Sequence, residues 1–431
     1  MRILWLCNIM LPAIAAYFKQ DYSVREGWLT GTFQRFLDCS GKMDGEDLSL
    51  GVCFPCRPGD TCIKEKITLQ GVTVSCYGYT ENQNQPQIYQ PDLEEQFRGI
   101  LADFNPDLVH IFGTEFPHCL AMTRVFEKKD RILLGLQGII SACADEYFAD
   151  LPQQVVKKKT LRDLLRRDSL MSQQHKFFLR GEMEQEAVGR ALNATGRTDF
   201  DRAAVQRMNP DIRYFHMNET MRPDFYIDEW KFEDCIRHRI FFSQADYPLK
   251  GFHYLLQALP EIILNFPDTE VVVAGNSLMH DKGLADHLKI SGYGAYLKHF
   301  IEEWELRRRI TFTGTLTAAE IKEQYLLCHT FVCASSLENS PNSVAEAMLL
   351  GTPVIASAVG GIPSMITDNK DGLLFQKGNS RELSKKVIHL WNDTKLQNAI
   401  SSAAAKKAHL AHDSETNYNR LMEIYKTITD S

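Results

Sequence analysis

Residues 331–366 read FVCASSLENSPNSVAEAMLLGTPVIASAVGGIPSMI, and this stretch determines the predicted fold. The apolar run Phe331 to Ala334 predicts a buried strand, which a polar loop follows, from Ser335 to Asn342. The pattern from Ser343 to Leu350 predicts a helix, and Pro353 to Ser357 predicts a second strand. This order is a β-loop-α-β unit, which is typical of a parallel sheet.

The polar loop of this unit lies where a ligand is expected. Parallel sheets bind ligands beyond the carboxyl ends of their strands. The loop also leads into a helix start, where free backbone N–H groups and the helix dipole favour phosphate. The composition of the loop therefore predicts an anion site.

Two carboxylates flank the predicted anion site, Glu338 in the loop and Glu346 in the helix. Both are placed to accept hydrogen bonds from the hydroxyls of a sugar-bearing ligand. For Glu346 an alternative stays open, because Ser343 and Glu346 also have the spacing of a capping box. Glu338 has no capping role in the sequence, although solvated acids are common in loops.

The paired acids, AEAMLLGTPVIAS and the VGGIP turn resemble the donor-site motif of the family 4 retaining glycosyltransferases, which have the GT-B fold. The motif departs from the commoner pattern at Ser340-Pro341 and at Ser364. The resemblance implies an α/β protein with two Rossmann-like, doubly wound domains that face each other across a cleft. We expect an acceptor-side domain over 1–228, a nucleotide-sugar domain over 229–405, and a C-terminal helix within 406–431 that packs back on the first domain.

The resemblance also implies roles for individual residues. Lys250 precedes a predicted helix and is expected to pair with a diphosphate, Glu338 to orient donor-sugar hydroxyls, and Glu346 to bind the ribose. The further donor contacts are expected at Asn276, Gly314, Thr315, Leu316, Ser340, Asn342, Ser343 and Val344. The acceptor side is expected to include Gly27, Trp28 and Gln137.

Two positions depart from the family in charge. Gln137 stands where a histidine is usual, and glutamine cannot take a proton at neutral pH. His110 and His118 are nearby in sequence and are candidates to replace it. Gln244 stands where an arginine usually contacts the phosphate.

The 431 residues predict two domains of about 200 residues each. A net charge of −7 argues against general nucleic-acid binding. Eleven cysteines, mostly single within apolar stretches, favour reduced thiols in a cytoplasmic protein. Cys53 and Cys56 have metal-site spacing, but no second pair completes a zinc site. We therefore expect neither a metal nor another cofactor.

The segment 157–180 is rich in lysine and arginine and carries leucines at helical spacing. It is either a solvated face or a peripheral contact with an anionic membrane, at the inner face of which a lipid-linked acceptor would lie. The N-terminal residues 1–18 mimic a signal peptide. Asn8 and Pro12 interrupt that run, so 2–7 is better interpreted as the first buried strand.

The first half otherwise alternates strands and helices, and we predict a helix over 28–37 and strands over 48–54, 67–79, 108–112 and 132–136. The resemblance implies a glycosyltransferase, and we expect the chain to act on a nucleotide-diphosphate sugar and a saccharide or lipid-linked acceptor. Two alternatives stay open: a nucleotide-sugar epimerase of the same fold, and a binding subunit that supports a partner transferase.

Overall fold

A computed structural model of the chain describes residues 1–20, 27–43, 46–56, 62–278 and 289–430, without the side chains at positions 27, 28, 42, 43, 46 and 47. Its contacts divide these residues into two compact units. The first contains Met1–Ser141, Lys176–Arg222 and Ala411–Ser431, and the second contains Ala142–His175 and Pro223–Leu410.

An eight-stranded sheet forms the core of the first unit. Its central strands are continuous apolar runs that are buried on both faces, as parallel strands require. The strands of this unit are β1 (Arg2–Leu6), β2 (Lys42–Met43), β3 (Glu46–Asp47), β4 (Ser49–Cys56), β5 (Lys64–Leu69), β6 (Val72–Thr80), β7 (Leu108–Phe112), β8 (Ile132–Gly135), β9 (Asn193–Gly196) and β10 (Arg213–His216). The sheet order is β10-β9-β8-β7-β1-β4-β6-β5, and β2 pairs only with β3.

The prediction of one strand over 67–79 is wrong. The structure has an antiparallel hairpin there, in which β5 and β6 are joined by a two-residue turn. Both turn residues, Gln70 and Gly71, have positive φ, which matches the tight turns that connect hairpin strands. Every other pair of neighbouring strands in the large sheet is parallel.

The helices cover these sheets in the order expected of an α/β chain. In the first half they are α1 (Pro12–Tyr17), α2 (Gly27–Asp38), α3 (Asp92–Phe104), α4 (Pro117–Val125), α5 (Ile140–Asp145), α6 (Gln153–Lys157), α7 (Leu161–Arg166), α8 (Leu170–Gly189) and α9 (Asp199–Met208). The second half has α10 (Phe252–Asn265), α11 (Gly292–Glu303), α12 (Ala318–Leu327), α13 (Asn342–Leu349), α14 (Ile362–Met365), α15 (Ser380–Asn392), α16 (Thr394–Ala411) and α17 (Ser414–Thr429).

A six-stranded parallel sheet forms the core of the second unit. Its strands are β11 (Ile236–Phe242), β12 (Glu270–Val273), β13 (Ile310–Phe312), β14 (Cys328–Cys333), β15 (Val354–Ser357) and β16 (Leu373–Phe375). The order β13-β12-β11-β14-β15-β16 is that of a doubly wound Rossmann-like sheet. The direction of winding reverses between β11 and β14, so ligands are expected beyond the carboxyl ends of these two strands.

The units differ from the predicted division at 142–175, and at the short segments 223–228 and 406–410, which also belong to the second unit. Residues 142–175 belong to the second unit, because their side chains bond to its helices and loops. Tyr254 on α10 donates its hydroxyl hydrogen bond to Asp150 at 2.7 Å, and Lys377 pairs with Glu146 at 2.7 Å. The domain that the resemblance implies over 1–228 included this segment.

The last helix, α17, packs into the first unit. The hydroxyl of Tyr425 accepts a hydrogen bond from Trp5 Nε1 at 2.8 Å and lies 2.7 Å from Nδ1 of His110. Burial lowers the pKa of His110 to about 3, so the ring is neutral at physiological pH. The end of the chain thus completes the core around β1 and β7.

Candidate donor-binding site

Two loops meet at the point where the winding of the second sheet reverses. One follows β11 and carries Lys250, and the other follows β14 and carries Glu338. The backbone N–H of Ser336 donates to the carbonyl of Leu249 at 2.8 Å, which ties the loops together. The parallel pairing of β11 with β14 therefore brings together two residues that are 88 positions apart in the sequence.

Lys250 and Glu338 form an ion pair with a distance of 2.7 Å between Nζ and Oε1. The same carboxylate oxygen accepts a hydrogen bond from the hydroxyl of Ser335 at 2.7 Å. The side chains of Lys250 and Glu338 are 22% and 14% exposed, so both remain reachable by a ligand. Burial by itself would lower the pKa of Lys250, but the negative charge of Glu338 and its hydrogen bond to the ammonium group raise that pKa above its ordinary value. The ammonium group is therefore charged at neutral pH.

Two glycines permit this close approach of the loops. Gly251 has a φ of +69°, and a Cβ there would lie 1.8 Å from the carbonyl oxygen of Ala334. Gly360 has a φ of +50°, and its Cβ would lie 2.0 Å from the carbonyl oxygen of Glu338. Any side chain at either position would clash with backbone, so both sites require glycine.

Helix α13 begins at Asn342, one residue earlier than predicted, with Pro341 as its N-cap and no side-chain cap. The capping-box alternative for Glu346 is therefore wrong, because Ser343 lies inside the helix. Glu346 is buried on this helix. The N–H of Val344 already donates to the carbonyl of Pro341 at 3.0 Å, so the helix start is partly closed by its own backbone.

The remaining loop position, Ser340, is buried, and its hydroxyl contacts the sulfur of Met365 at 3.6 Å. This contact is weak, because a thioether is a poor hydrogen-bond acceptor. Ser340 therefore borders the predicted phosphate site, and Met365 gives its hydroxyl only a weak hydrogen bond.

The ends of β12 and β13 form a second part of the site. The backbones of Gly275 and Gly314 exchange hydrogen bonds of 2.9 and 3.0 Å. Asn276 and Thr315 follow these two glycines in the sequence, and both are exposed. Leu316 follows and is half-buried. Among the described residues, no atom lies within 4 Å of the point where a Cβ on Gly314 would be, so a flat group has room beside this part of the backbone.

Gln244, at the position where the resembling family has an arginine, lies in the loop after β11. Its Nε2 donates a hydrogen bond to Asp246 at 3.1 Å. The amide carries no charge, so Lys250 supplies the cation of this loop.

Gln137, predicted on the acceptor side, lies in the first unit just beyond β8. Its Nε2 donates to Glu219 Oε1 at 2.5 Å, and its Oε1 accepts from Arg197 at 3.3 Å. Arg197 also pairs with Glu219. Burial raises the pKa of Glu219 although Arg197 opposes this shift. Both polar ends of Gln137 are thus held by neighbours of its own unit.

Helix α2 begins at Gly27, one residue before the predicted start, and the acceptor-side role of Gly27 stays a prediction. The side chain of Trp28 lies outside the described residues, so the expectation for it is not tested.

Glu115 lies at the matching edge of the first sheet, in the loop after β7, and was not among the predicted residues. Its Oε1 accepts the backbone N–H of Gly138 at 3.1 Å, while Oε2 is buried and has no hydrogen-bond partner within the described chain. Burial raises the pKa of Glu115 to about 7; Arg180 and His118 lower it and Glu184 raises it. Because β1 and β7 are the strands between which the first sheet reverses, this edge is also a ligand edge. The sequence signal that could have identified Glu115 is its position shortly after the predicted strand over 108–112.

Neither candidate histidine is placed as an exposed base. His110 is buried against Tyr425, and His118 is buried with its Nδ1 2.9 Å from Glu81. Cys53 and Cys56 are buried on β4, and none of the eleven cysteines forms a disulfide bond in the structure. Within the described ranges no group of three or more His, Cys, Asp or Glu side chains is arranged to hold a metal ion.

Comparison with known proteins agrees with this geometry. Residues 235–407 match the family model of the glycosyl transferases group 1. Over its full length the chain superposes on the sucrose-phosphate synthase of Thermosynechococcus elongatus with a TM-score of 0.69 and 13% identity, covering 100% of this chain and 99% of that one. The chain has the GT-B fold. HepE of Anabaena, solved in complex with UDP-glucose, gives a TM-score of 0.62 at 17% identity, covering 99% and 100%.

Among sequence relatives, a putative glycosyltransferase of Bacillus subtilis, YtcC, is 26% identical over 75% of this chain and 73% of its own length. Other curated relatives are matched over less than half of their own length, among them the spore coat protein SA of the same organism, at 46%. The shared region includes the β11–β15 core that carries Lys250, Glu338 and Glu346.

Proposed function

We propose that the chain is a retaining glycosyltransferase that moves a sugar from a nucleotide-diphosphate sugar to an acceptor hydroxyl, in the synthesis of a cell-surface polysaccharide or glycolipid. The observation that carries this proposal is the Lys250–Glu338 pair at the point where the second sheet reverses. A cation and a carboxylate side by side match a donor in which a diphosphate is joined directly to a hydroxylated sugar.

In this proposal the sugar C–O bond to the diphosphate breaks, and the diphosphate oxygen keeps the electron pair. The acceptor oxygen forms the new bond on the same face of the sugar, and its proton passes to the departing phosphate oxygen. Lys250 stabilises the negative charge that grows on the diphosphate. Since this charge is larger in the transition state than in the bound donor, the interaction lowers the barrier.

The carboxylates act on the neutral parts of the donor. Glu338, released from Lys250 when the diphosphate arrives, orients the sugar hydroxyls, and Glu346 binds the ribose. The nucleotide base of the donor lies against the backbone of Gly314 to Leu316, where the described residues leave room beside Gly314. The helix start at Asn342 and Ser343, together with Asn276 beyond the end of β12, completes the donor contacts.

The acceptor is assigned to the first unit. Glu115 has a buried carboxylate oxygen without a partner in the described structure, and it lies on the ligand edge of that sheet. It is suited to accept a hydrogen bond from a hydroxyl of the acceptor. Gln137, whose amide is held by Arg197 and Glu219, supports the wall of this region.

The comparisons support the class of donor. HepE, which has the same fold, was solved with UDP-glucose, and YtcC is described as a putative glycosyltransferase. A nucleotide sugar is therefore the first ligand to test, with UDP, GDP and ADP as the nucleotides.

The test has two stages. Thermal-shift measurements with UDP, GDP and ADP identify the nucleotide, because a ligand at about 100 times its Kd stabilises a protein by about 2.7 kcal/mol. The chain is then incubated with matching nucleotide sugars alone. Free nucleotide and an unaltered, hydrolysed sugar are expected.

Each rival gives a different result in this test. An isomerised nucleotide sugar would identify an epimerase. Glu338→Ala is expected to lower turnover about 100-fold, or ~2.7 kcal/mol in barrier. Unchanged turnover by this variant, alone or in a complex with a partner transferase, would contradict the proposed catalytic site and favour the binding subunit.

A further inference from the structure

Helix α7 directs its apolar side chains outward and its acidic side chain inward. Asp163 is buried, whereas Leu161, Leu164 and Leu165 are 51, 58 and 77% exposed. A surface helix normally shows the reverse pattern, because burial of leucine and hydration of aspartate both stabilise the folded chain. The exposed leucine face therefore does not serve the packing of its own unit.

The orientation of α7 is fixed by hydrogen bonds within the second unit. Asp163 Oδ2 accepts the backbone N–H of Gly292, at the start of α11, at 3.0 Å. Asp163 and Thr160 also form a reciprocal capping box at the start of α7. Turning the leucines inward would break these hydrogen bonds and remove Asp163 from its partners. The outward orientation of the leucines is therefore a stable feature of the fold.

Cations surround the leucine face. Six Lys or Arg and two Asp lie between positions 157 and 168, which gives this segment a net charge of +4. Both aspartates pair with Arg162. The five remaining cations are exposed, and none forms an ion pair in the described part of the chain: Lys157, Lys158, Lys159, Arg166 and Arg167.

We propose that α7 and the lysines before it dock on an anionic membrane surface. The three leucines enter the boundary between headgroups and acyl chains, while the cations contact lipid phosphates, which is how short basic amphipathic segments bind a bilayer. A nucleic-acid backbone would satisfy the cations but would leave the leucines exposed to water. No helix in the described ranges is long and apolar enough to cross a membrane, so this contact would lie along the surface.

This inference is independent of the transfer reaction, because membrane binding requires neither donor nor acceptor. The experiment uses the full chain in sedimentation with phosphatidylcholine vesicles, with and without phosphatidylglycerol, at low and high salt. Wild type is expected to bind the phosphatidylglycerol vesicles, weakly or not at all the neutral ones, and less at high salt.

Two variants test the face itself. Leu164→Glu combined with Leu165→Glu is expected to weaken vesicle binding at least about tenfold. Leu264→Glu is the matched control: Leu264 is 83% exposed on α10, and its replacement should leave vesicle binding unchanged. The melting temperature of each variant checks that it is folded.

Several results would overturn the proposal. They are a wild type whose vesicle binding does not depend on phosphatidylglycerol, a double variant that binds these vesicles as well as the wild type does, and a Leu264→Glu control that loses as much vesicle binding as the double variant. Light scattering after size-exclusion chromatography adds one more. A wild-type dimer that the double variant dissociates, without vesicle binding, would assign the leucine face to self-association instead.

Discussion

Glu338 competes with a diphosphate for Lys250, so removing its charge should tighten nucleotide binding while it impairs turnover. The perturbation is Glu338→Gln, which keeps the size of the side chain and an oxygen that can accept the Ser335 hydroxyl. In the wild type an arriving diphosphate must displace the carboxylate from Nζ, 2.7 Å away. In the variant the ammonium charge is available at once.

The magnitude follows from the exposure of the pair. Two unit charges about 4 Å apart interact by roughly 4 kcal/mol at an effective dielectric constant of about 20. Both side chains are partly exposed, at 22% and 14%, so solvent screens part of this energy. We expect a net gain of about 1 to 2 kcal/mol, which is roughly 5- to 30-fold tighter binding of the nucleoside diphosphate.

Isothermal titration calorimetry with the nucleotide found by thermal shift measures this directly. Lys250→Met provides the opposite result, about 10- to 100-fold weaker binding, because a hydrogen bond to a charged group is lost. Glu270→Gln is the matched control: Glu270 pairs with Arg239 elsewhere in the same unit, and its loss should not change affinity. If Glu338→Gln weakens diphosphate binding as Lys250→Met does, the competition argument is refuted.

Two further predictions concern stability. The pKa of Glu115 is raised from 4.5 to about 7 in the folded chain, so as the pH rises the carboxyl loses its proton in the unfolded chain before it does so in the folded chain. The free energy of unfolding therefore falls between about pH 4.5 and 7. Glu115→Gln should remove this loss, so the variant should be more stable than wild type by up to about 3 kcal/mol at pH 8 and about as stable as wild type at pH 4.5. A difference in melting temperature between the two proteins that does not vary with pH would contradict this prediction. A positive φ costs a residue other than glycine about 1 to 2 kcal/mol. Gly251→Ala should lower the free energy of unfolding by well over this amount, because its Cβ would meet the carbonyl of Ala334. Gly71 has a φ of +83°, and no atom of the described residues lies within 4 Å of where its Cβ would be, so Gly71→Ala should cost only that strain in urea denaturation. Equal losses for the two variants would contradict the clash.

Interpretation of local patterns from the sequence was largely correct. The β-loop-α-β unit around Glu338 lies as predicted, with its helix beginning one residue earlier, at Asn342. The buried runs of β1 and β7 were also recognisable, because strands that are covered on both faces are apolar throughout. Such features depend on residues a few positions apart, which a sequence displays directly. The hairpin turn at Gln70-Gly71 was a local signal too, and it was missed within a continuous β-rich run.

What the sequence alone determined was therefore the α/β class, the mostly parallel pairing of the strands and the loops that carry the candidate donor residues. Tertiary structure decided which of these residues meet. The Lys250–Glu338 pair depends on β11 lying beside β14, and the assignment of 142–175 depends on side-chain bonds to the second unit. It also decided that α7 buries its aspartate and exposes its leucines. Periodicity identifies an apolar face, but only the partners that surround a helix determine which face is turned toward the protein and which toward water.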